Sequence, residues 1–258
     1  MLNLLRRTPP ADPLANPAWP ELGRQMPLLA GLSDCEWWRL EARMRHFLAH
    51  KVFHGVQGFA LSQRRLLQVA AQACLPIINL GDKAYADWKE IILYPTAFVS
   101  RIPWHDQAGL VHEGEWVIAG QARQDGPILL AWPDAQRGPA LDGRNVVIHE
   151  CAHKLDMMNG TANGFPPLHA SMHAADWTRA FEAGFADFSG RIAQGEAVSI
   201  DPYAAENPAE FFAVLSEYFF ELPHLLHDQY PAIYEQLRQF YRQDPGERLP
   251  LIEPAGLY

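Results

Sequence analysis

The stretch that most constrains this chain is "NVVIHECAHKLDMMNG", residues 145–160, where a polar trio sits inside an apolar run. Val146, Val147 and Ile148 lead in, Leu155, Met157 and Met158 follow, and Asn159-Gly160 supplies a helix stop. Helix positions four apart lie about 40° apart around the axis, so His149 and His153 project from one face. That placement suits two neighbouring positions of a tetrahedral zinc. Glu150 lies one residue round, where its carboxylate can reach a metal-activated water. Setting His and Glu among aliphatic residues is unfavourable unless something there satisfies them, and a metal does.

The same i, i+4 spacing of histidines recurs twice, at His46, His50 and His54 and at His169 and His173. Neither set has a Glu directly after its first His, so neither offers a base beside a metal. Both are expected to be helix-face histidines.

With 258 residues, 48% of them apolar, the chain can bury a full core. Net charge is −9, and Lys and Arg form no run beyond Arg6-Arg7 and Arg64-Arg65, which leaves direct nucleic-acid binding without electrostatic support. Cys35, Cys74 and Cys151 are too few and too scattered for a disulfide framework and fit a reducing compartment. The N-terminal apolar run is too short for a signal peptide, and no apolar stretch is long enough to span a membrane. A cytoplasmic protein is expected.

Along the chain, the first 30 residues are rich in Pro and Ala and read as an irregular leader. Residues 33–48 open with a Ser-x-x-Glu capping box and continue as a helix, and 62–77 form a second helix stopped by Pro76. "EIILYPTAFVS" (90–100), "EWVIAGQAR" (115–123) and "PILLAWPDA" (127–135) are rich in β-formers, with a turn at 124–126. Helical patterns return at 145–158, roughly 169–188, 208–221 and 231–243. The order predicts an α+β fold, a small mixed sheet with the His-Glu helix packed on it and helices before and after. The expected divisions are a leader (1–30), one domain (31–246) and a tail (247–258).

A catalytic zinc needs a third protein ligand and an open position. "DPYAAENPAEFFAVLSEYFFE" (201–221) is where to look: Asn207 can cap a helix, Pro208 fits its first position, and Glu210 falls in the first turn. Glu210, Glu217 and Glu221 share one stripe of that helix, and spacing alone does not choose among them. Glu210 could instead complete a capping box with Asn207, and Glu217 and Glu221 could be solvated face residues. A position near the helix start, where a cleft is easier to build, favours Glu210, with Glu217→Gln then expected to change metal affinity little. Asp156, three residues after His153, could accept the free N–H of a ligand imidazole. Cys151 points away from the histidine face, which argues against a structural thiolate site.

Together, "HECAHKLDMMNG" (149–160), "YAAENPAEFFAVLSEYFFE" (203–221), "GPILLAWPDA" (126–135) and "FYRQDP" (240–245) resemble the Mlc titration factor A family of bacterial metallopeptidases. The resemblance covers most of residues 27–246. It implies a zincin-like catalytic domain similar to that of anthrax lethal factor, with one zinc held by His149, His153 and Glu210 and Glu150 as general base. Tyr203, seven residues before Glu210, falls where lethal factor has a tyrosine assisting the transition state. The resemblance further implies aminopeptidase-like cleavage of peptide substrates and sequestration of the glucose repressor Mlc. A repressor-binding protein in which zinc is secondary is the alternative. One position departs from the thermolysin pattern, which places an acid four residues after the ligand Glu; here that residue is Val214.

Overall fold

The computed structural model describes residues 12, 14–15, 19–100, 104–105, 111–112, 116–124 and 126–252. Half of the expected leader and the end of the tail lie outside them. The helices are α1 (Trp19–Arg24), α2 (Asp34–His50), α3 (Gln63–Cys74), α4 (Trp132–Arg137), α5 (Val146–Asp156), α6 (Ala174–Ala193), α7 (Pro208–Glu221), α8 (Pro223–Gln229) and α9 (Pro231–Tyr241). The strands are β1 (Val52–Gly55), β2 (Glu90–Tyr94), β3 (Phe98–Ser100), β4 (Trp104–His105), β5 (Val111–His112), β6 (Trp116–Ile118), β7 (Gly120–Ala122) and β8 (Ile128–Ala131).

A four-stranded sheet runs β1-β2-β8-β7, and the β3–β6 and β4–β5 pairs form separate two-stranded ladders. β1, β2 and β8 are parallel, while β7 pairs antiparallel with β8 and forms an edge. The fold is therefore α+β with a small mixed sheet and mostly helices, as the element order predicts. The 115–123 segment divides, β6 leaving to pair with β3 while β7 stays on the main sheet. Gly120, at the start of β7, lies where the chain changes partner.

The predicted capping box forms at α2: the Ser33 hydroxyl accepts from the Glu36 amide, and the Glu36 carboxylate accepts the Ser33 N–H at 2.8 Å. Three sequence expectations change. Within the stretch read as irregular, α1 buries Trp19 and Leu22, two apolar residues one turn apart that Pro and Ala otherwise mask. α6 begins at Ala174, so His169 and His173 are not on a helix face; His169 Nε2 instead pairs with the Phe240 carbonyl. His54 lies in β1, away from the α2 residues His46 and His50.

The two innermost helices are α5 and α7. Phe211, Phe212, Phe219 and Phe220 of α7 are fully buried, together with Val214 and Leu215, so this helix is apolar on nearly every side and occupies the core. α5 packs on α7 on one side and on β7 and β8 on another. Among the described residues no helix is long and apolar enough to cross a membrane.

Candidate metal centre

The α5–α7 contact is built around Asn145. Its side-chain oxygen caps α5 by accepting the Ile148 N–H at 3.0 Å. Its own backbone N–H donates to Glu217 of α7, and its side-chain amide donates to Glu221 at 3.0 Å. Glu221 also accepts the Gly143 N–H at 3.0 Å. Glu217 and Glu221 are thus buried carboxylates joining α7 to the start of α5. The solvated-face reading of both is corrected, because their stripe faces α5 and not solvent.

At the other end of α5, the Asp156 carboxylate accepts the backbone N–H groups of Asn163, Gly164 and Phe165 at 2.8, 2.7 and 3.0 Å. It does not meet a ligand imidazole; those three donors hold it, offsetting the unfavourable position of an anion at a helix C-terminus. Gly164 has φ +78°, and an added Cβ would stand 2.4 Å from the Pro208 carbonyl oxygen. This close approach sets the start of α7, and with it Glu210, against the end of α5.

Asn207 caps α7 through its side-chain oxygen, which accepts from Ala209 and Glu210. The Glu210 side chain does not fold back as a capping-box partner. Its Oε2 lies 3.0 Å from His149 Nε2 and 3.1 Å from His153 Nε2, and those two nitrogens are 3.2 Å apart. Among the described residues, His149, His153 and Glu210 form the cluster able to hold a metal ion. Bonds of about 2.0–2.1 Å in a tetrahedron put ligand atoms about 3.3 Å apart, so the three fit one zinc-sized ion.

Glu217 lies seven residues beyond Glu210 and reaches the opposite ring nitrogen, its Oε1 lying 2.7 Å from His149 Nδ1. A proton on Nδ1 leaves Nε2 with its lone pair turned towards Glu210 and His153. Glu217 therefore orients His149, and the orienting acid stands seven residues after Glu210, not at Val214. His153 Nδ1 is buried without a hydrogen-bond partner among the described residues.

The electrostatics favour a cation. Burial alone would lower the proton affinity of His149, but Glu217, then Glu210 and Glu150, override it and hold the imidazole well above its usual range. Burial likewise pushes Glu210 upward, and the His149 and His153 hydrogen bonds reverse this, holding its carboxyl well below the carboxylate range. The negative potential that attracts a proton to His149 attracts a divalent cation to the same nitrogens. Cys151 is not among the converging ligand atoms; it is buried on another side of α5, against Tyr85.

Glu150 is buried on the β7 side, its Oε2 without a hydrogen-bond partner among the described residues and its carboxylate facing the Ala122 N–H. Burial raises its proton affinity, with the two histidines opposing. A Cβ at Gly120 would stand 2.5 Å from Glu150 Oε1 and 2.9 Å from its Cγ, so only glycine lets β7 approach. A glycine inside a strand pattern was the signal for this residue. Gly120→Ala is expected to displace the carboxylate and lower turnover by about 10–100-fold with metal content unchanged. Parallel kinetics and metal analysis check this, and unchanged turnover would contradict it.

Tyr203 lies just before α7 with its ring centroid 6.1 Å from that of His149. Its ring is half exposed, while the more enclosed hydroxyl end faces Glu210. Burial, then the charges of Glu210 and Glu150, push this hydroxyl well above the usual tyrosine range, so it remains a donor. The cluster thus joins two imidazoles and a carboxylate to an adjacent carboxylate and a phenol, a set suited to metal-assisted hydrolysis.

The model of the family described as glucose-regulated metallo-peptidase M90 matches residues 3–242. Similar curated proteins include Mlc titration factor A of Salmonella gallinarum, 42% identical over 246 residues, or 94% of this chain and 93% of that protein. Mlc titration factor A of Yersinia pestis is 42% identical over 244 residues, covering 93% of this chain and 89% of that protein. The chain belongs to the glucose-regulated metallo-peptidase M90 family.

Proposed function

We propose that this protein is a zinc peptidase of zincin type, with His149, His153 and Glu210 as the ligands and Glu150 as the general base. The observation that carries the reading is the convergence of three ligand atoms at 3.0–3.2 Å beside a buried, partly unpaired carboxylate. Zinc, when bound, supplies Lewis acidity for attack of water on an amide. Glu150 takes the proton of the attacking water and returns it to the departing amine, work suited to a carboxylate whose proton affinity is raised. The Tyr203 hydroxyl donates to the oxygen on which negative charge develops. Glu217 keeps His149 in the required tautomer. Among the described residues β7 is an edge strand of the main sheet next to Glu150, a place for an extended peptide to add as a further strand.

Small aminoacyl substrates are the proposed class, consistent with an aminopeptidase. The test is hydrolysis of a chromogenic aminoacyl substrate before chelation, after it, and after zinc is restored. Loss and recovery are expected; hydrolysis indifferent to a chelator would refute the reading. Tyr203→Phe is expected to lower kcat by about ten- to a thousand-fold with little change in KM, because the contact forms mainly in the transition state. Unchanged kcat would leave Tyr203 a packing role.

The relatives' name, Mlc titration factor A, favours a second activity, sequestration of the repressor Mlc in the cytoplasm. It needs a protein-binding surface and not hydrolysis, so both activities can reside on one chain. Co-purification of the repressor with the metal-depleted protein separates them.

A further inference from the structure

The chain contains four lysines against seventeen arginines, and the four gather in one place. Lys51, Lys83 and Lys89 line a single cavity of about 340 Å³, together with Arg43, His46 and His50. The Lys51 ammonium sits 3.6 Å above the centroid of the Trp88 ring in its wall, and Lys154 of α5 approaches the same ring at 5.6 Å. Asp82 is the one acid among the described lining residues, and it is paired with Arg43 and 3.8 Å from His46. Arg43, Lys51, Lys83 and Lys89 against one carboxylate leave an excess of three positive charges when all are protonated, in a protein whose net charge is −9. Asp87 acts on Lys51 from nearby but does not line the cavity.

Local structure accounts for part of this. His46, His50 and Lys51 lie at the C-terminal end of α2, where the helix dipole favours cations. The Lys51 ammonium also donates to the Tyr85 and Trp88 carbonyls and closes that loop. Lys83 and Lys89 have no such explanation. Both are exposed, lie outside α2, and add like charge to a wall where burial already pushes Lys51 down to about 8. The imidazoles of His46 and His50 are stacked at 3.9 Å at the same cavity, adding two groups that become donors when protonated.

An anion relieves this accumulation, and the residue type narrows which. Arginine forks suit carboxylates, whereas lysine ammonium groups act as point charges towards phosphate. The cavity floor is apolar and aromatic, with Phe47, Ile77, Tyr85 and Trp88 all buried, so it has room and contact for an organic group beyond the phosphate. We propose that this cavity binds a small organic phosphate, its phosphoryl group between Arg43, Lys83 and Lys89 and its remainder against the aromatic floor. The site lies behind α5, the Tyr85 hydroxyl facing Cys151 on the side away from the metal ligands, and does not depend on the metal reading.

The test is titration calorimetry of the full chain at a fixed ionic strength of about 0.15 M, with inorganic phosphate, phenyl phosphate and citrate as probes. Saturable one-to-one binding of phenyl phosphate is expected, tighter than that of inorganic phosphate because the floor contributes. The double variant Lys83→Ala, Lys89→Ala is expected to bind at least about tenfold more weakly with an unchanged Tm, since both side chains are exposed. Three outcomes overturn the proposal: no saturable binding of either phosphate, citrate bound as tightly as phenyl phosphate, or unchanged affinity in the double variant. The last would place the anion at the metal centre or elsewhere.

Discussion

Glu150→Gln is expected to lower peptide hydrolysis by about 10²–10⁴-fold while zinc stays bound. The substituted amide keeps the shape of the side chain, and Glu150 is not among the three converging ligand atoms, so the metal cluster is left intact. What is lost is the acceptor for a proton and its later return. Burial raises the carboxylate's proton affinity, and no described group occupies its Oε2, so nothing nearby substitutes for it. The measurement is kcat with metal content determined on the same sample. Retention of most of the turnover would remove Glu150 from the mechanism. Repressor binding is expected to survive, and its loss in a folded Glu150→Gln protein would merge two activities that the site separates.

Glu210→Gln and Glu217→Gln are expected to weaken zinc binding in that order. Glu210 supplies a ligand atom at 3.0 and 3.1 Å from two imidazole nitrogens, and an amide there removes a charge that neutral imidazoles cannot replace. Glu217 acts one step removed, through His149 Nδ1, and loss of such an outer partner costs about 10–100-fold in metal affinity. This replaces the sequence expectation that Glu217→Gln changes little. The loss at Glu210 should exceed that range, as read by competition with a chromogenic chelator. A larger loss at Glu217 than at Glu210 would move the third ligand and overturn the assignment.

What the sequence made legible follows from how local each signal is. The helix of 145–158 and its histidine face are set by spacing within two turns, and the capping box at Ser33 by four consecutive residues. Asn207-Pro208 marked the start of α7 for the same reason. The roles of the carboxylates were not local. Whether Glu217 meets solvent or His149 depends on how α7 lies against α5, contacts more than 60 residues apart in the chain. Asp156 shared the histidine side of α5 by spacing, yet the 163–165 loop captured it with three backbone donors. The strand division at Gly120 likewise required knowing that Glu150 stands against it. The lysine cluster carried no motif, because its members come from the end of α2, from the segment between α3 and β2, and from α5.

The proposed zinc site of His149, His153 and Glu210 holds one ion per chain. Its most direct test is elemental analysis of protein purified after zinc-replete expression, alongside the Glu210→Gln variant. One zinc per chain in the wild type and a large deficit in the variant are predicted. Wild-type protein without stoichiometric metal, or a variant holding zinc as tightly as the wild type, would contradict the claim.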